Sequence, residues 1–263
     1  MATVADILSY IETEIAPRSM KMDWDNVGLN VGRRDKEVKK ILVALDPFSH
    51  VCQEAKDFGA DLLVTHHVLI FRPGFVTDAT AQGRNTLFLI ENGIAHINAH
   101  TNLDQAPGGV NDVLARTLGL ENIQVVRPQG VDEEGRPWGL LRCGDVPEQT
   151  LEAFLTAVKD KLGCGGLRYA DGGKNVRRVA VGGGSCAGAM NDALRAGCDT
   201  FVTADIRYNN FWDAHDLNMN LIDAGHFHTE NPVVAVLAEK IREAFPEIEV
   251  KISETHDDCM KFF

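Results

Sequence analysis

No stretch of this 263-residue sequence approaches the roughly 20 consecutive apolar residues that cross a bilayer. Positive charge is scarce, since 26 lysines and arginines face 38 aspartates and glutamates, for a formal net charge of −12. Nucleic acid and anionic membrane surfaces bind clustered positive charge, so both are disfavoured as main partners. A hydrophobic content of 44% still supports a buried core, which excludes disorder as the main state.

The six cysteines form no C-x-x-C pair and no zinc-knuckle spacing. Reduced thiols in a cytoplasmic protein are the expectation that follows. Residues 1–17 place acidic residues inside an apolar pattern and start without basic residues, which predicts a helix and not a signal peptide. The residues predicted to share one buried stripe of that helix are Val4, Ile7, Leu8, Ile11 and Ile15.

Short apolar runs that end in glycine or a polar residue recur along the chain. Several of them are apolar without alternation, as expected for strands that are covered on both faces. Helical patterns lie between some of them, so the chain is predicted to be an α/β protein. The runs are Ile41–Leu45, Leu62–Thr65, His96–Ala99, Val179–Val181, Phe201–Thr203 and Leu221–Asp223.

An internal repeat is visible when Lys39–Thr65 is laid over Arg177–Thr203 without a gap. Both copies follow the order strand, small-residue turn, helix, G-x-D and strand. The identical positions are Val43/Val181, Ala55/Ala193, Gly59/Gly197, Asp61/Asp199, Val64/Val202 and Thr65/Thr203. The repeat predicts two similar α/β lobes, 1–126 and 127–263, with a functional site where they meet.

Arg127–Gly173 is predicted to be a connecting segment or small subdomain without chemistry of its own. After a polar loop, it would contain a strand over Gly139–Cys143, a helix over Glu148–Leu162 with Pro147 near its start, and a strand over Gly165–Asp171.

The C-terminal part predicts a helix over Val233–Phe245, with Asn231 as its cap and Pro232 at its first position. A final strand is predicted over Glu249–Ser253.

Histidines and carboxylates gather at the ends of three predicted strands. In open parallel sheets, ligands bind outside the carboxyl ends of the strands. Imidazole together with carboxylate is the donor set of borderline divalent metals such as Zn, Mn, Fe, Co or Ni. The residues concerned are the pair His66–His67, His100 with Asp104 four residues on, and His226 with Glu230 four residues on.

The adjacent histidines favour two metal ions. His66 and His67 project in different directions from a strand end, so one metal for each is the simpler geometry. Asp104 and Glu230 would supply an anionic bridge. Gly225 would let a metal or substrate approach the backbone.

Other motifs leave alternatives open. The pattern of Gly182–Ser185 fits a phosphate-binding loop and a tightly packed turn equally well. Asp25 and Asn26, beside Trp24, would either orient metal ligands or form a structural polar cluster. No G-x-S-x-G elbow supports a serine hydrolase. For the remaining histidines, we expect structural roles for His50 and His215 and solvent exposure for His256.

Four segments in this order resemble one family, the NGG-one-interacting-factor-three-like proteins, also known as dinuclear metal centre proteins or GTP cyclohydrolase I type 2 homologues. The segments are Trp24–Leu29, Thr65–Phe71, Ala99–Asp104 with Gly108–Asn111, and Asp223–Glu230. By this resemblance, the five metal ligands fall on His66, His67, Asp104, His226 and Glu230. Val68 stands where the family usually has Pro, and the large mid-chain domain of some members is missing at Arg127–Gly173.

The resemblance implies two interlinked α/β lobes with mixed sheets, two divalent metal ions between them, and a homo-oligomer that is typically a hexameric ring. Some members are linked to opening the purine ring of GTP. The leading hypothesis is therefore a metal-dependent hydrolase acting on a nucleotide or related compound, with a metal-activated water as nucleophile. His100, and next His228, are the candidate proton shuttles, and Arg72, Arg84 or Arg127 would add positive charge for the substrate.

Two other functions fit the same residues. A metal-binding chaperone, sensor or scaffold would use the same ligands without turnover, and only an open coordination position distinguishes it from an enzyme. A partner-binding protein with purely structural metals would lose folding energy when the metals are removed.

Overall fold

The computed structural model of the protein describes residues 1–72 and 74–263, and the chain divides into two units. Unit 1 comprises Met1–Ala106 and Val234–Asp257, and unit 2 comprises Pro107–Val233 and Asp258–Phe263. Each unit combines a mixed β-sheet with helices, which confirms the predicted α/β class. Among the described residues, no helix combines the length and apolar character that crossing a bilayer requires.

Strands and helices follow one another through both units. The first segment of unit 1 holds α1 (Val4–Tyr10), β1 (Gly28–Val31), β2 (Lys40–Ala44), α2 (Ser49–Phe58), β3 (Leu62–Thr65), α3 (Ala81–Glu91), β4 (Ala95–Asn98) and α4 (Thr101–Gln105). Unit 2 holds α5 (Val110–Leu118), β5 (Glu121–Val126), β6 (Gly130–Val131), β7 (Pro137–Trp138), β8 (Leu141–Gln149), α6 (Leu151–Leu162), β9 (Arg168–Ala170), β10 (Val176–Val181), α7 (Met190–Arg195), β11 (Thr200–Thr203), α8 (Tyr208–Asp216), β12 (Asn220–Asp223) and α9 (His226–Glu230). The chain then continues through α10 (Pro232–Ala244) to β13 (Glu249–Ile252) of unit 1.

The sheet of unit 1 has the order β1-β4-β3-β2-β13. β13, β2, β3 and β4 pair in parallel, and β1 is antiparallel at one edge. The central residues Val43, Val64 and Ile97 are fully buried, as expected for strands covered on both faces. The predicted N-terminal stripe is also buried: α1 is capped by Thr3, a π-helical turn over Ile11–Ile15 follows, and every apolar residue of the stripe lies in the core.

The sheet of unit 2 has the order β5-β8-β10-β11-β12-β9. β10, β11 and β12 are parallel, whereas β8 and β9 are antiparallel to their neighbours. One apolar cluster includes Phe154 of α6, and a second includes Phe201 of β11 and Ala193 of α7. The parallel strands therefore lie between two apolar layers.

The repeat predicted from the sequence is present in the hydrogen bonding of both units. The carboxylate of Asp61 accepts from the backbone N of Lys39 and Lys40 at 2.9 and 3.2 Å. Asp199 accepts in the same way from the backbone N of Arg177 and Arg178 at 3.1 and 3.0 Å. The identical G-x-D positions thus tie the start of one parallel strand to the start of the next.

The similarity extends to the third parallel strand of each unit. The backbone N of Ala99 donates to Thr65 O at 3.0 Å, and the backbone N of Ala224 donates to Thr203 O at 2.9 Å. A five-residue helix follows at each place, α4 in unit 1 and α9 in unit 2. The candidate ligands Asp104 and Glu230 belong to these two short helices.

The predicted start of the helix in the connecting segment is wrong. Pro147 lies inside β8, which extends to Gln149 because it pairs with both β5 and β10. The helix α6 begins only after Thr150, whose side chain accepts a hydrogen bond from Ala153 N at 3.3 Å. Long-range pairing here overrides the local signal of a proline near a helix start.

The predicted cap of the C-terminal helix is also wrong, although Pro232 is its first residue as expected. Asn231 has helical backbone angles, φ −54° and ψ −30°, and closes α9 by donating its backbone N to Phe227 O. The two helices therefore follow each other directly, which leaves no extended cap residue between them.

Candidate metal centre

Three imidazoles come together in unit 1 at the carboxyl ends of β3 and β4. His66 and His67 follow β3, and His100 follows β4. One ligand nitrogen from each of the three rings lies within 4.8 Å of the other two. The parallel register, in which Thr65 pairs with Asn98, brings both strand ends to the same edge of the sheet.

His66 is fully buried and its ring orientation is fixed from the backbone. Its Nδ1 lies 2.8 Å from the carbonyl oxygen of Ala99, so Nδ1 donates and the lone pair is on Nε2. That Nε2 lies 3.6 Å from Oδ1 of Asp104 in α4. The structure therefore places two of the predicted ligands side by side within unit 1.

The imidazole of His67 is oriented by a carboxylate that the sequence analysis did not single out. Its Nδ1 lies 2.6 Å from Oδ1 of Asp46, which follows β2. Burial raises the pKa of Asp46, but hydrogen bonds from His256 and His67 outweigh it and hold that pKa well below its usual range. Asp46 is therefore ionised and accepts the Nδ1 proton of His67.

The expectation that His256 faces solvent is wrong. Its side chain is only 4% exposed, and its Nε2 lies 3.1 Å from Oδ2 of Asp46. The ring of His256 also stacks on that of His50, with centroids 5.9 Å apart. The polar tail after β13 thus holds the carboxylate that orients His67.

His100 is oriented by Asp25. The distance from His100 Nδ1 to Asp25 Oδ1 is 2.9 Å, and Thr101 donates its backbone N and its hydroxyl to Oδ2. Burial raises the pKa of Asp25, but the hydrogen bonds from His100 and Thr101 lower it to about 2. Asn26 instead links two loops, because its Nδ2 donates to Ile70 O at 2.6 Å.

In unit 2, His226 and Glu230 lie one helical turn apart on α9, as their spacing predicts. The distance from His226 Nε2 to Glu230 Oε2 is 3.1 Å. His226 Nδ1 lies 2.6 Å from Oδ2 of Asp205, a second carboxylate missed from the sequence. Asp205 follows β11 and has a left-handed backbone with φ +51°, a conformation that aspartate tolerates better than most residues.

The turn over Gly182–Ser185 is a packed turn and not a phosphate cradle. The backbone N of Gly183 donates to Asn111 Oδ1, and that of Gly184 donates to Thr229 Oγ1, so both amides are used within the chain. A Cβ at Gly184 would lie 2.1 Å from Glu230 Oε1 and 2.9 Å from His226 Nε2. Because Gly184 has no side chain, the backbone lies directly against the side chains of Glu230 and His226.

Gly225 meets a requirement of the backbone itself. Its φ is +83°, and the nearest atom to a Cβ built there would be His228 Cδ2, at an ordinary 3.4 Å. Glycine is therefore needed for the left-handed turn that starts α9.

One arrangement is common to four histidines, three in unit 1 and one in unit 2. The acceptor at Nδ1 is a carboxylate or a backbone carbonyl in each case, which leaves the lone pair on Nε2. Metal-bound histidines in proteins are held in this way, since the acceptor fixes the ring and raises its basicity. The pairs are His66 with Ala99, His67 with Asp46, His100 with Asp25, and His226 with Asp205. These residues fit a divalent metal ion.

Two other histidines have structural partners. His228 has its Nδ1 3.1 Å from Leu162 O and its Nε2 3.4 Å from Oδ2 of Asp258. His96 is buried within β4, with Nε2 2.8 Å from Thr65 Oγ1, and burial lowers its pKa to about 3. Of the two shuttle candidates, His100 is one of the three clustered rings of unit 1.

The candidate arginines have different surroundings. Arg84 donates to the carbonyl of Asp78 at 2.9 Å, and Arg127 pairs with Asp192 at 3.3 Å. Arg72 is exposed beside Phe71. Of the three, Arg72 follows the segment that carries His66 and His67 most closely.

Comparison with known proteins identifies the family of the chain. The family model described as Duf34/NIF3 (NGG1p interacting factor 3) matches residues 2–259. A Clostridium perfringens protein named GTP cyclohydrolase 1 type 2 homolog is 38% identical over 261 residues, covering 98% of each chain. Among solved structures, a Bacillus cereus protein related to NIF3 has a TM-score of 0.93 at 26% identity, covering 100% of this chain and 99% of that one. Staphylococcus aureus protein SA1388 has a TM-score of 0.91 at 28% identity, with the same coverage. The chain belongs to the Duf34/NIF3 family.

Proposed function

We propose that this protein is a metal-dependent hydrolase that acts on a nucleotide or a related compound. It would bind two divalent metal ions through His66, His67, Asp104, His226 and Glu230. The observation that carries the proposal is the common arrangement of the histidines, each of which has an acceptor at Nδ1 and its lone pair on Nε2. An acceptor at Nδ1 fixes the ring and raises the basicity of Nε2, which increases the affinity of a histidine for a metal ion.

The chemistry that the metals would supply is a bound water whose pKa falls from 15.7 toward roughly 7. The chain itself would bind and orient the substrate and manage the proton. His100 would accept that proton at Nε2, because Asp25 already accepts from its Nδ1 at 2.9 Å. The low pKa of Asp25 keeps this carboxylate ionised, so it stabilises the imidazolium that forms.

The nucleotide substrate is supported by the relatives. Several of them carry the name GTP cyclohydrolase 1 type 2 homolog, and the first covers almost the full length of both chains. The corresponding reaction would be opening of a purine ring by water. Asp104 and Glu230 would partly neutralise the metal charge and leave an electrophilic site.

The test is metal content by mass spectrometry together with nucleotide hydrolysis, on protein purified without chelator. About two metal ions per chain are expected, as in two-metal hydrolases. His226→Ala should lose metal and hydrolysis, whereas His215→Ala, at an exposed histidine of the same unit, should keep both. Full activity in His226→Ala would refute the proposed site. Bound metal without turnover of any nucleotide would favour the alternative, a metal-binding chaperone, sensor or scaffold.

We also propose that the protein works in the cytoplasm as a homo-oligomer, a hexameric ring. Light scattering should then give six times the chain mass of 28.8 kDa. A monomer at cellular concentrations would contradict this assembly.

A further inference from the structure

Two large aromatic side chains of unit 1 are exposed beside the histidine cluster. Trp24 is 57% exposed and Phe71 is 41% exposed. Their ring centroids lie 5.6 Å apart with an interplanar angle of 39°, so together they form one apolar surface. We call Trp24 and Phe71 the aromatic platform.

The platform adjoins the imidazole of His100 on both rings. The Trp24 ring centroid lies 6.2 Å from that of His100, and the Phe71 centroid lies 6.3 Å from it. The interplanar angles are 72° and 73°, so the plane of the imidazole is steeply inclined to the planes of both aromatic rings. His100 is therefore a direct neighbour of the surface on which a flat ring would lie.

The platform is held in place by hydrogen bonds at both of its segments. Asp25, next to Trp24, is bound by His100 and Thr101. Asn26 donates from its Nδ2 to the carbonyl of Ile70, the neighbour of Phe71. The segments that carry the two exposed rings are thus linked to the cluster and to each other, which lowers the conformational entropy that the protein would lose when a ligand ring stacks.

We propose that the aromatic platform binds the planar heteroaromatic ring of the substrate by stacking and thereby sets the substrate class. This inference rests on the proposed hydrolase function and deepens it. The two platform rings already contact each other, so the ligand ring would lie on their outer surface and not between them. Stacking on aromatic side chains is a general mode of base binding, because every base has a π-face.

The test is calorimetric titration of the full-length protein, as purified with its metals, with guanosine monophosphate. Ribose 5-phosphate is the probe without a ring. Trp24→Ala should weaken guanosine monophosphate binding by about 5- to 150-fold, the range found when a stacking ring is removed. Trp24→Phe, which keeps an aromatic face, should bind within a few-fold of the unmodified chain. The affinity for ribose 5-phosphate should be low and equal in all variants.

Trp212 supplies the matched control. It is 56% exposed and belongs to α8 of unit 2, so Trp212→Ala should bind like the unmodified chain. Phe71→Ala is the second platform variant if Trp24→Ala does not fold. Unchanged binding in the platform variants, or equal affinity for the two probes, would overturn the proposal. A change of mass in light scattering of Trp24→Ala would also overturn it, because a second copy of the chain would then cover the platform.

Hydrolysis is not the readout of this test. If the proposed hydrolase activity fails, guanosine monophosphate binding that depends on Trp24 remains measurable. If the platform inference fails, the metal content and hydrolysis of the unmodified chain remain unaffected.

Discussion

Replacing Gly184 by alanine is expected to remove metal binding without unfolding the protein. The new Cβ would lie 2.1 Å from Glu230 Oε1, so this oxygen must retreat by roughly 1.4 Å to reach van der Waals distance. Glu230 is only 4% exposed and has little room to move. Any such movement also takes the Glu230 carboxylate away from Nε2 of His226, the neighbouring candidate metal ligand.

The magnitude has two parts. The backbone of Gly184 is left-handed, with φ +61°, which costs an alanine about 1–2 kcal/mol of folding stability. The displaced carboxylate should lower metal affinity by about 100-fold, the upper end of the range for disturbed support of a metal ligand. The variant Gly197→Ala distinguishes the backbone cost from the effect on the metal site. Its φ is also left-handed, at +78°, but a Cβ there would meet nothing within 4 Å.

The assay compares Gly184→Ala with Gly197→Ala. Urea unfolding of the metal-free proteins should show the backbone cost in both, and a further loss in Gly184→Ala from the crowding of Glu230. Competition with a coloured chelator for zinc should show lost affinity in Gly184→Ala alone. Equal zinc affinity in the two variants would refute the reasoning, since Glu230 would then not be a ligand or would reach the metal from a shifted position.

Two further predictions concern unit 1. Asp46→Asn should lower zinc affinity by about 10- to 100-fold, because His67 loses its charged acceptor. The control Asp57→Asn, at an exposed position of α2, should leave zinc affinity unchanged. Equal zinc affinities in the two variants would contradict the role of Asp46 in orienting His67. His96 has a pKa of about 3 when folded against about 6.5 when unfolded, so the unfolded chain binds one more proton between these pH values and stability falls as the pH drops through this window. His96 contributes about 1.4 kcal/mol per pH unit to the pH dependence of the unfolding free energy. His96→Gln keeps a hydrogen-bond donor for Thr65 and should remove that part of the pH dependence in urea unfolding. An unchanged dependence of the unfolding free energy on pH would contradict this assignment to His96.

The strands that carry the predicted ligands could be predicted because each is short, apolar and bounded by polar residues. Leu62–Thr65 is β3 with the predicted bounds, β4 begins and ends one residue earlier than predicted, and β12 begins one residue earlier. Parallel pairing then places the strand ends at one edge of the sheet. The local pattern and this general rule were enough to bring His66, His67 and His100 together.

The residues that orient the candidate ligands could not be predicted in the same way. Asp46 and His256 are far apart in sequence and meet because β13 pairs in parallel with β2, in the register Val250 with Ile41. The sequence of a short apolar strand does not indicate which strand it pairs with. The polar tail after β13 therefore looks solvent-exposed from the sequence alone. The partner of β13 is a property of the whole fold.

The repeat contained a usable signal for one of the missed carboxylates. Extending the overlay of the two copies by two residues places Asp205 at the position of His67, directly after equivalent strands. The same overlay places Gly184 at the position of Asp46. In unit 1 these two positions hold a histidine and the carboxylate that orients it, at 2.6 Å. In unit 2 they hold the carboxylate that orients His226 and the glycine that leaves space for Glu230. The repeated backbone therefore fixes where side chains reach the edge of each sheet, and the residue type at each place decides whether it is a candidate metal ligand or a support for one.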